Sequence, residues 1–357
     1  MVRISTYESR KPHHKTINSH IWWRWAIKQH DDFLRLAVFL LVAMMCGLFV
    51  AYMRLLPNLA KTDTPITAQI TQIPSKPATT NGPQQNNPLF ASTPLWSQDF
   101  TDKNYKYLDP LYWTVLVGPA QNSNNEQQYY TDNKVNLHIG DGALHLTATR
   151  DSQPGGYQYS SSRIETQDKQ TFLYGRIDVT AKLPHGVGTW PAVWLLPANN
   201  TYERLSPSSD FMRYKNGGEI DIIEAVGFEP NIVYGVSHTR SDLTQRTDGT
   251  GLYGSVLVPN NDTEYQTYTL LWTPDSMSFL VNDKPYFTNK RQPNSDYKTW
   301  PFDQPFYLIA NLAMGGTWGG MDTAHYPGNG IDNAALPASL DIQSIHYYPY
   351  ISPQAQK

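Results

Sequence analysis

Gly218-Glu219-Ile220-Asp221-Ile222-Ile223-Glu224 sets three carboxylates into an otherwise β-branched run. The isoleucines between them predict a strand, because β-branched side chains suit a pleated, half-buried surface. Successive side chains on a strand alternate faces, so Glu219 and Asp221 point one way and Glu224 the other. One extra residue at Ile222-Ile223, a β-bulge, would return Glu224 to the face of its two neighbours. Carboxylates crowded on one face repel each other and lose hydration, which is a poor arrangement for stability alone. The run therefore reads as an acidic strand edge in solvent, as a cation site, or as a catalytic group.

Around this run the chain is a series of short alternating segments separated by Gly, Asn, Asp and Pro. Ala143–Ala148, Tyr174–Val179, Tyr268–Trp272 and Ser278–Val281 are examples, and Leu340–Tyr348 reads as a closing strand. Long amphipathic helical patterns are missing from about residue 95 onward. Many short strands with turn signals between them predict an all-β sandwich or barrel, here a single domain over 95–351. The chain is rich in Tyr (23) and Trp (10), as flat sugar rings would require and as large β domains also show.

The N-terminal part differs. Leu36 to Met53 carries no charge and is bracketed by Arg35 and Arg54. As a helix it would rise about 27 Å, close to the roughly 30 Å bilayer core. Basic residues upstream predict a cytoplasmic segment 1–35 and an uncleaved anchor over 36–53. A cleaved signal peptide fits less well, because the basic leader is long and no small-residue cleavage site follows promptly. Residues 54–94, rich in Thr, Pro, Gln and Asn, predict a flexible linker.

Residues 1–61 hold nine Lys/Arg against three Asp/Glu, leaving nineteen against twenty-eight, or −9, in the remainder. That balance argues against nucleic acid and polyanionic substrates as partners. Cys46 is the single cysteine, so no intramolecular disulfide forms. No His/Cys cluster has zinc spacing, and no glycine-rich loop sits where phosphate binding requires one.

Glycoside hydrolysis is the chemistry that needs such acids. A retaining enzyme holds its two working carboxyl groups about 5–5.5 Å apart and an inverting one roughly 6.5–9.5 Å. Same-face neighbours on a strand are about 6.5–7 Å apart at Cα, so spacing alone leaves both open. A third carboxylate between the two glutamates would separate their pKa values, leaving one ionised and one protonated.

The Gly218–Gly227 stretch resembles the laminarinase-type signature of glycoside hydrolase family 16. Further matches follow in the family's order at Asn124–Thr131, Ser162–Ile164, Gly188–Pro197, Ser237–Thr239, Trp272–Asp275 and Asn311–Trp318. The resemblance spans the whole expected domain and excludes the first 90 or so residues. It implies a β-jelly-roll of two curved antiparallel sheets and retention of anomeric configuration. By position it implies Glu219 as nucleophile, Asp221 as assisting carboxylate and Glu224 as general acid/base.

Trp190 and Trp194, four apart on an expected strand, share a face and suit sugar stacking, with a core position as the alternative. Trp318, in a Gly-rich loop, would form another wall of the site. Arg163 would bind sugar hydroxyls or steady the nucleophile, or form an ordinary surface ion pair. His238 would hydrogen-bond the acid/base or substrate, or serve as a structural histidine. Asn125 and Glu126 resemble a loop that edges the cleft, and Asn311 would approach the central subsites; a turn or cap is the alternative for each. Asp341 matches a position that supplies a carboxylate to a structural calcium ion in many relatives, with a surface acid as the alternative; no cofactor is expected for catalysis itself.

The sequence thus implies a membrane-anchored, monomeric endo-β-glucanase acting on β-1,3 bonds of laminarin-like or mixed-linkage glucans. A transglycosylase and a non-catalytic glucan-binding protein are the alternatives. A cytoplasmic N-terminus would place the catalytic domain in the periplasm or outside the cell, with a bacterial inner membrane favoured.

Overall fold

The computed structural model describes residues 71–72, 89–120, 124–199, 201–202, 217–241, 252–321 and 330–351. Two sheets enclose one core. The eight-stranded sheet runs from edge to edge through Thr71–Gln72, Leu252–Leu257, Ile232–His238, Glu219–Glu224, Thr189–Pro197, Phe306–Met314, Arg163–Glu165 and Thr114–Val115. The eleven-stranded sheet is centred on Gln266–Trp272, Gly175–Lys182, Ala338–Tyr348 and Ala143–Arg150. Pairing is antiparallel except where Thr71–Gln72 joins Leu252–Leu257 and where Gln128–Tyr130 joins Tyr159–Ser161. This is the expected all-β sandwich, and its strands include the five segments whose alternation the sequence displays.

Alternation explains how the sheets pack. Val193, Leu195, Ile220, Ile222, Ile223 and Leu308 face inward from the eight-stranded sheet. Ile177, Val179, Leu270, Trp272, Leu340 and Ile342 meet them from the other. Each side chain of this kind contributes about 1.5–3 kcal/mol when fully buried. Phe306–Met314 is buried along its whole length, so it lacks the alternation of its neighbours. Four of the seven described tryptophans (Trp96, Trp113, Trp272 and Trp300) are core residues. The aromatic richness is thus largely a matter of packing, with Trp190, Trp194 and Trp318 left partly exposed.

The folded part begins earlier than residue 95. Phe90 is buried and bridges Tyr350, while Ala91 N–H donates to the Pro349 carbonyl. Thr71–Gln72, inside the expected linker, adds a two-residue strand to the sheet edge. The expected cytoplasmic segment and the apolar span at 36–53 lie outside the described residues. Among those described, no helix is long and apolar enough to cross a membrane.

Candidate active site

The acid strand starts at a position only glycine tolerates. Gly218 has φ +77°, and a Cβ there would lie 2.6 Å from Pro301 Cγ and 2.9 Å from Phe302 Cε1. Beyond it, Glu219 pairs with His238, Asp221 with Val236 and Glu224 with Tyr234. Three steps along the acid strand therefore match two on its neighbour. On the other side Trp194 pairs with Asp221 and Val193 with Ile223, which leaves Ile222 unpaired. Ile222 is thus the extra residue of a β-bulge. Ile220, Ile222 and Ile223 all enter the core, and the three acids emerge together on the opposite face.

Among the described residues, no lysine or arginine forms an ion pair with Glu224. Its Oε1 accepts a 2.9 Å hydrogen bond from the Trp190 indole N–H. Burial pushes its carboxyl up to about 8 and the charge of Asp221 adds to the rise, while His238 and the indole bond pull the other way. His238 Nε2 lies 3.2 Å from Asp221 Oδ2 and 4.0 Å from Glu219 Oε1. The histidine is therefore turned towards Asp221 and Glu219, where the sequence suggested the acid/base or the substrate. Glu219, Asp221 and His238 each present a ligand atom within 4.8 Å of the others, so a small cation would fit between them.

The aromatic residues divide into two groups. Trp318 meets the ring of Trp190 edge-on at 5.6 Å and that of Tyr234 at 5.1 Å. Tyr234 is fixed in turn by donating to Glu229 at 2.6 Å. On the other side, the Trp194 indole donates to Asn311 Oδ1 at 2.7 Å, and the Arg163 guanidinium sits 5.3 Å above the Trp194 ring. Glu165 anchors Arg163 at 3.2 Å. The Asn311 amide donates to Tyr130, whose hydroxyl is 3.5 Å from Glu126 Oε2. Asn311 and Glu224 face the same residue, Ala192, from opposite sides, so the two groups meet across one strand.

Asn125 does not join them. It is exposed, with φ +55°, in the loop preceding Gln128–Tyr130. Tyr130, Glu165, Tyr234 and Glu229 were missed by sequence reasoning. Tyr234 alone had a usable signal, because it is four residues before His238 on the same strand and so shares its face.

Asp341 lies in the other sheet and does not suit calcium. Its Oδ1 is 2.7 Å from His145 Nδ1 and accepts from Ser339 Oγ at 2.6 Å, and its Oδ2 is 3.4 Å from Lys182 Nζ. His145 Nε2 faces the Gly140 carbonyl at 3.0 Å, so both ring nitrogens meet oxygen acceptors, which favours the protonated ring and raises its pKa. Two cations of the chain occupy the surroundings that a calcium ion would need, and the expected calcium position is corrected accordingly.

A bulged strand carrying three acids, walled by tryptophans on the face of a two-sheet sandwich, defines a carbohydrate-cleaving site. Residues 122–331 match the family model of the glycosyl hydrolases family 16, and the chain belongs to that family, on its laminarinase-like branch. It is 38% identical to the beta-glucanase of Rhodothermus marinus over 263 residues, covering 72% of this chain and 85% of that protein. It is 33% identical to the glucan endo-1,3-beta-glucosidase A1 of Niallia circulans over 275 residues, 71% of this chain and 37% of that longer protein. The crystal structure of the laminarinase from Rhodothermus marinus superposes with a TM-score of 0.64 at 37% identity, over 74% of this chain and 100% of that one.

Proposed function

We propose that this chain is a retaining, endo-acting β-glucanase that cleaves β-1,3 bonds in laminarin-like or mixed-linkage glucans. The observation that carries the reading is the bulge at Ile222. It delivers Glu219, Asp221 and Glu224 to one face, with the Glu224 carboxyl held protonated near neutral pH. The names of the relatives supply the substrate class.

In this reading Glu219 attacks the anomeric carbon while Glu224 gives its proton to the departing glycosidic oxygen. Glu224, now ionised, takes a proton from water, which hydrolyses the glycosyl ester on Glu219. Asp221, beside His238, raises the Glu224 pKa and keeps the acid and the nucleophile in opposite protonation states. Trp190 and Trp194 offer ring faces for sugars, and Asn311 and Arg163 fix the Trp194 plane. The carboxylates carry the chemistry, so no cofactor is needed. A cation between Glu219 and Asp221 would neutralise the nucleophile.

Anchoring of a monomeric catalytic domain through residues 36–53, on the outer side of a bacterial inner membrane, belongs to the same proposal and rests on sequence alone. Fractionation of cells producing the full chain tests it, and recovery in the soluble fraction overturns it.

The central test is Glu219→Gln, assayed on laminarin and mixed-linkage glucan with product sizing and with NMR of the first-formed anomer. Turnover is expected to fall by orders of magnitude with folding intact, and the wild type to release β-anomers first. Wild-type turnover in the variant would refute the assignment. Products longer than the substrate would identify transfer, and binding without cleavage by the wild type would identify a glucan receptor.

A further inference from the structure

Behind the Asn124–Gln127 loop lies a second concavity, a groove of about 600 Å³. Its lining includes Asn125, Gln127, Arg150, Tyr157, Gln158 and Asn333, with Tyr159 at the base and Gly155-Gly156 along one rim. The two glycines, at φ +74° and +85°, fold the chain back so that Gln153 N–H reaches the Tyr157 carbonyl at 2.8 Å. Tyr157 is half-buried and braced edge-on by Tyr129 at 6.0 Å. Buried Tyr159 donates to Asn333 Oδ1 at 3.0 Å, which orients that carboxamide at the groove wall. Arg150 forms no ion pair among the described residues.

This lining has a definite chemical character. Four carboxamides, two phenols and one guanidinium offer hydrogen bonds in both directions beside aromatic surface. Charge is balanced between Arg150 and Glu126, which disfavours a polyanion. Neutral, hydroxyl-rich rings fit such a surface.

The groove also abuts the acid site. Asn124 O accepts from Thr317 N–H at 2.8 Å, and Glu126 bridges Gly315. A Cβ on Gly316 would lie 3.3 Å from both Glu126 Cγ and Trp190 Cζ3. One glycine therefore separates the groove-lining loop from the tryptophan that holds Glu224.

We infer that this groove is a remote glucosyl-binding site, filled by sugars of the polymer whose scissile bond lies over the acids. The inference rests on the β-glucanase reading. Its occupant is either the continuing main chain or a glucosyl branch, and the chemistry of recognition is the same for both.

The test uses the full chain and the variants Tyr157→Ala and Arg150→Ala. The ratio of kcat/KM on long glucan to kcat/KM on a short β-1,3 oligosaccharide is expected to fall about tenfold, the loss of one or two charge-assisted or stacking contacts. Calorimetric binding of laminarin to the same variants in a Glu219→Gln background should weaken in parallel. Loss confined to branched laminarin identifies a branch, and equal loss on linear glucan identifies the main chain. Unchanged ratio and unchanged binding overturn the groove while leaving the β-glucanase reading intact. Failure of the wild type to cleave any β-glucan overturns both.

Discussion

The two sheets treat a shielded carboxylate in opposite ways. Asp341, on the closing strand of the eleven-stranded sheet, is surrounded by His145, Lys182 and Ser339. Burial alone would raise its carboxyl, but the bonds from His145 and Ser339, with the His145 and Lys182 charges, hold it below its usual value. Glu224, in the eight-stranded sheet, has an indole N–H for a partner and two more acids as neighbours, and its carboxyl rises to about 8. The first arrangement ties a strand in place. The second spends stability to keep a proton available near neutral pH, which marks a working site.

The difference depends first on the bulge, and deleting Ile222 is the direct test of what the bulge does. Without the extra residue, Glu224 follows Asp221 by two positions, so regular alternation keeps it on the outer face and Ile223 in the core. Glucan hydrolysis is expected to persist at a reduced rate, because the acids keep a common face while the local bend of the bulge is lost. Ile222→Ala is the companion variant, since it keeps the bulge and removes only packing. It should cost about 2–5 kcal/mol of stability and leave turnover within a few-fold of wild type. Reducing-sugar assays and calorimetry on both variants separate register from packing. Loss of all activity in a folded deletion would show that the bulge does more than correct the parity.

How far this contrast was legible in the sequence follows from the range of the interactions. The acid strand and its bulge obey a local rule, period two, so six residues suffice to state the parity problem and its solution. The sandwich is legible for the same reason, because each strand reports its own buried face. Asp341 meets His145 across 196 positions, and no local pattern pairs them. The resemblance to a family suggested calcium there, and the substitution of chain cations for a metal is visible only once the strands are registered. Tyr130 contacts Asn311 from 181 positions away and escaped notice likewise. The exposed turn at Asn125 was placed beside the cleft, yet its groove depends on a hairpin that joins it only through strand pairing.

Amide substitution gives the sharper test, because one chemical change should act in opposite directions. Glu224→Gln is expected to lower kcat by about 10²–10⁴-fold, the usual worth of a general acid. Its stability should increase. The folded carboxyl is raised from 4.5 to about 8, so below 4.5 both folded and unfolded states hold the proton. Between those values the unfolded chain ionises first, and wild-type stability falls as pH rises. Glutamine escapes that penalty, so the variant should gain on the order of a few kcal/mol above about pH 8 and nothing in acid. Asp341→Asn should do the reverse and cost about 1.5–3 kcal/mol. Asp341 is held below 3.8, so its contribution is present above that value and lost as pH falls through the folded value. His145 is held above 6.5, so its contribution is present below 6.5 and lost as pH rises through its folded value. The Asp341→Asn deficit should be largest between these limits. Melting curves across pH decide the matter, and equal signs for the two amides would remove the contrast.

The smallest effect expected is a shift of the alkaline limb of kcat/KM in Trp190→Phe. Glu224 must carry its proton to donate it, so activity is lost as pH rises through its pKa, and the three acids move together in that titration. The indole N–H stabilises the ionised carboxylate and holds the Glu224 pKa down. Phenylalanine keeps an aromatic face for the sugar and removes that donor, so the limb should move to higher pH, with KM changed only modestly. A limb that moves to lower pH would mean the indole serves the protonated acid, through its carbonyl oxygen. In that case burial and Asp221 would hold the proton without opposition from Trp190, and the tryptophan would join the devices that keep Glu224 neutral.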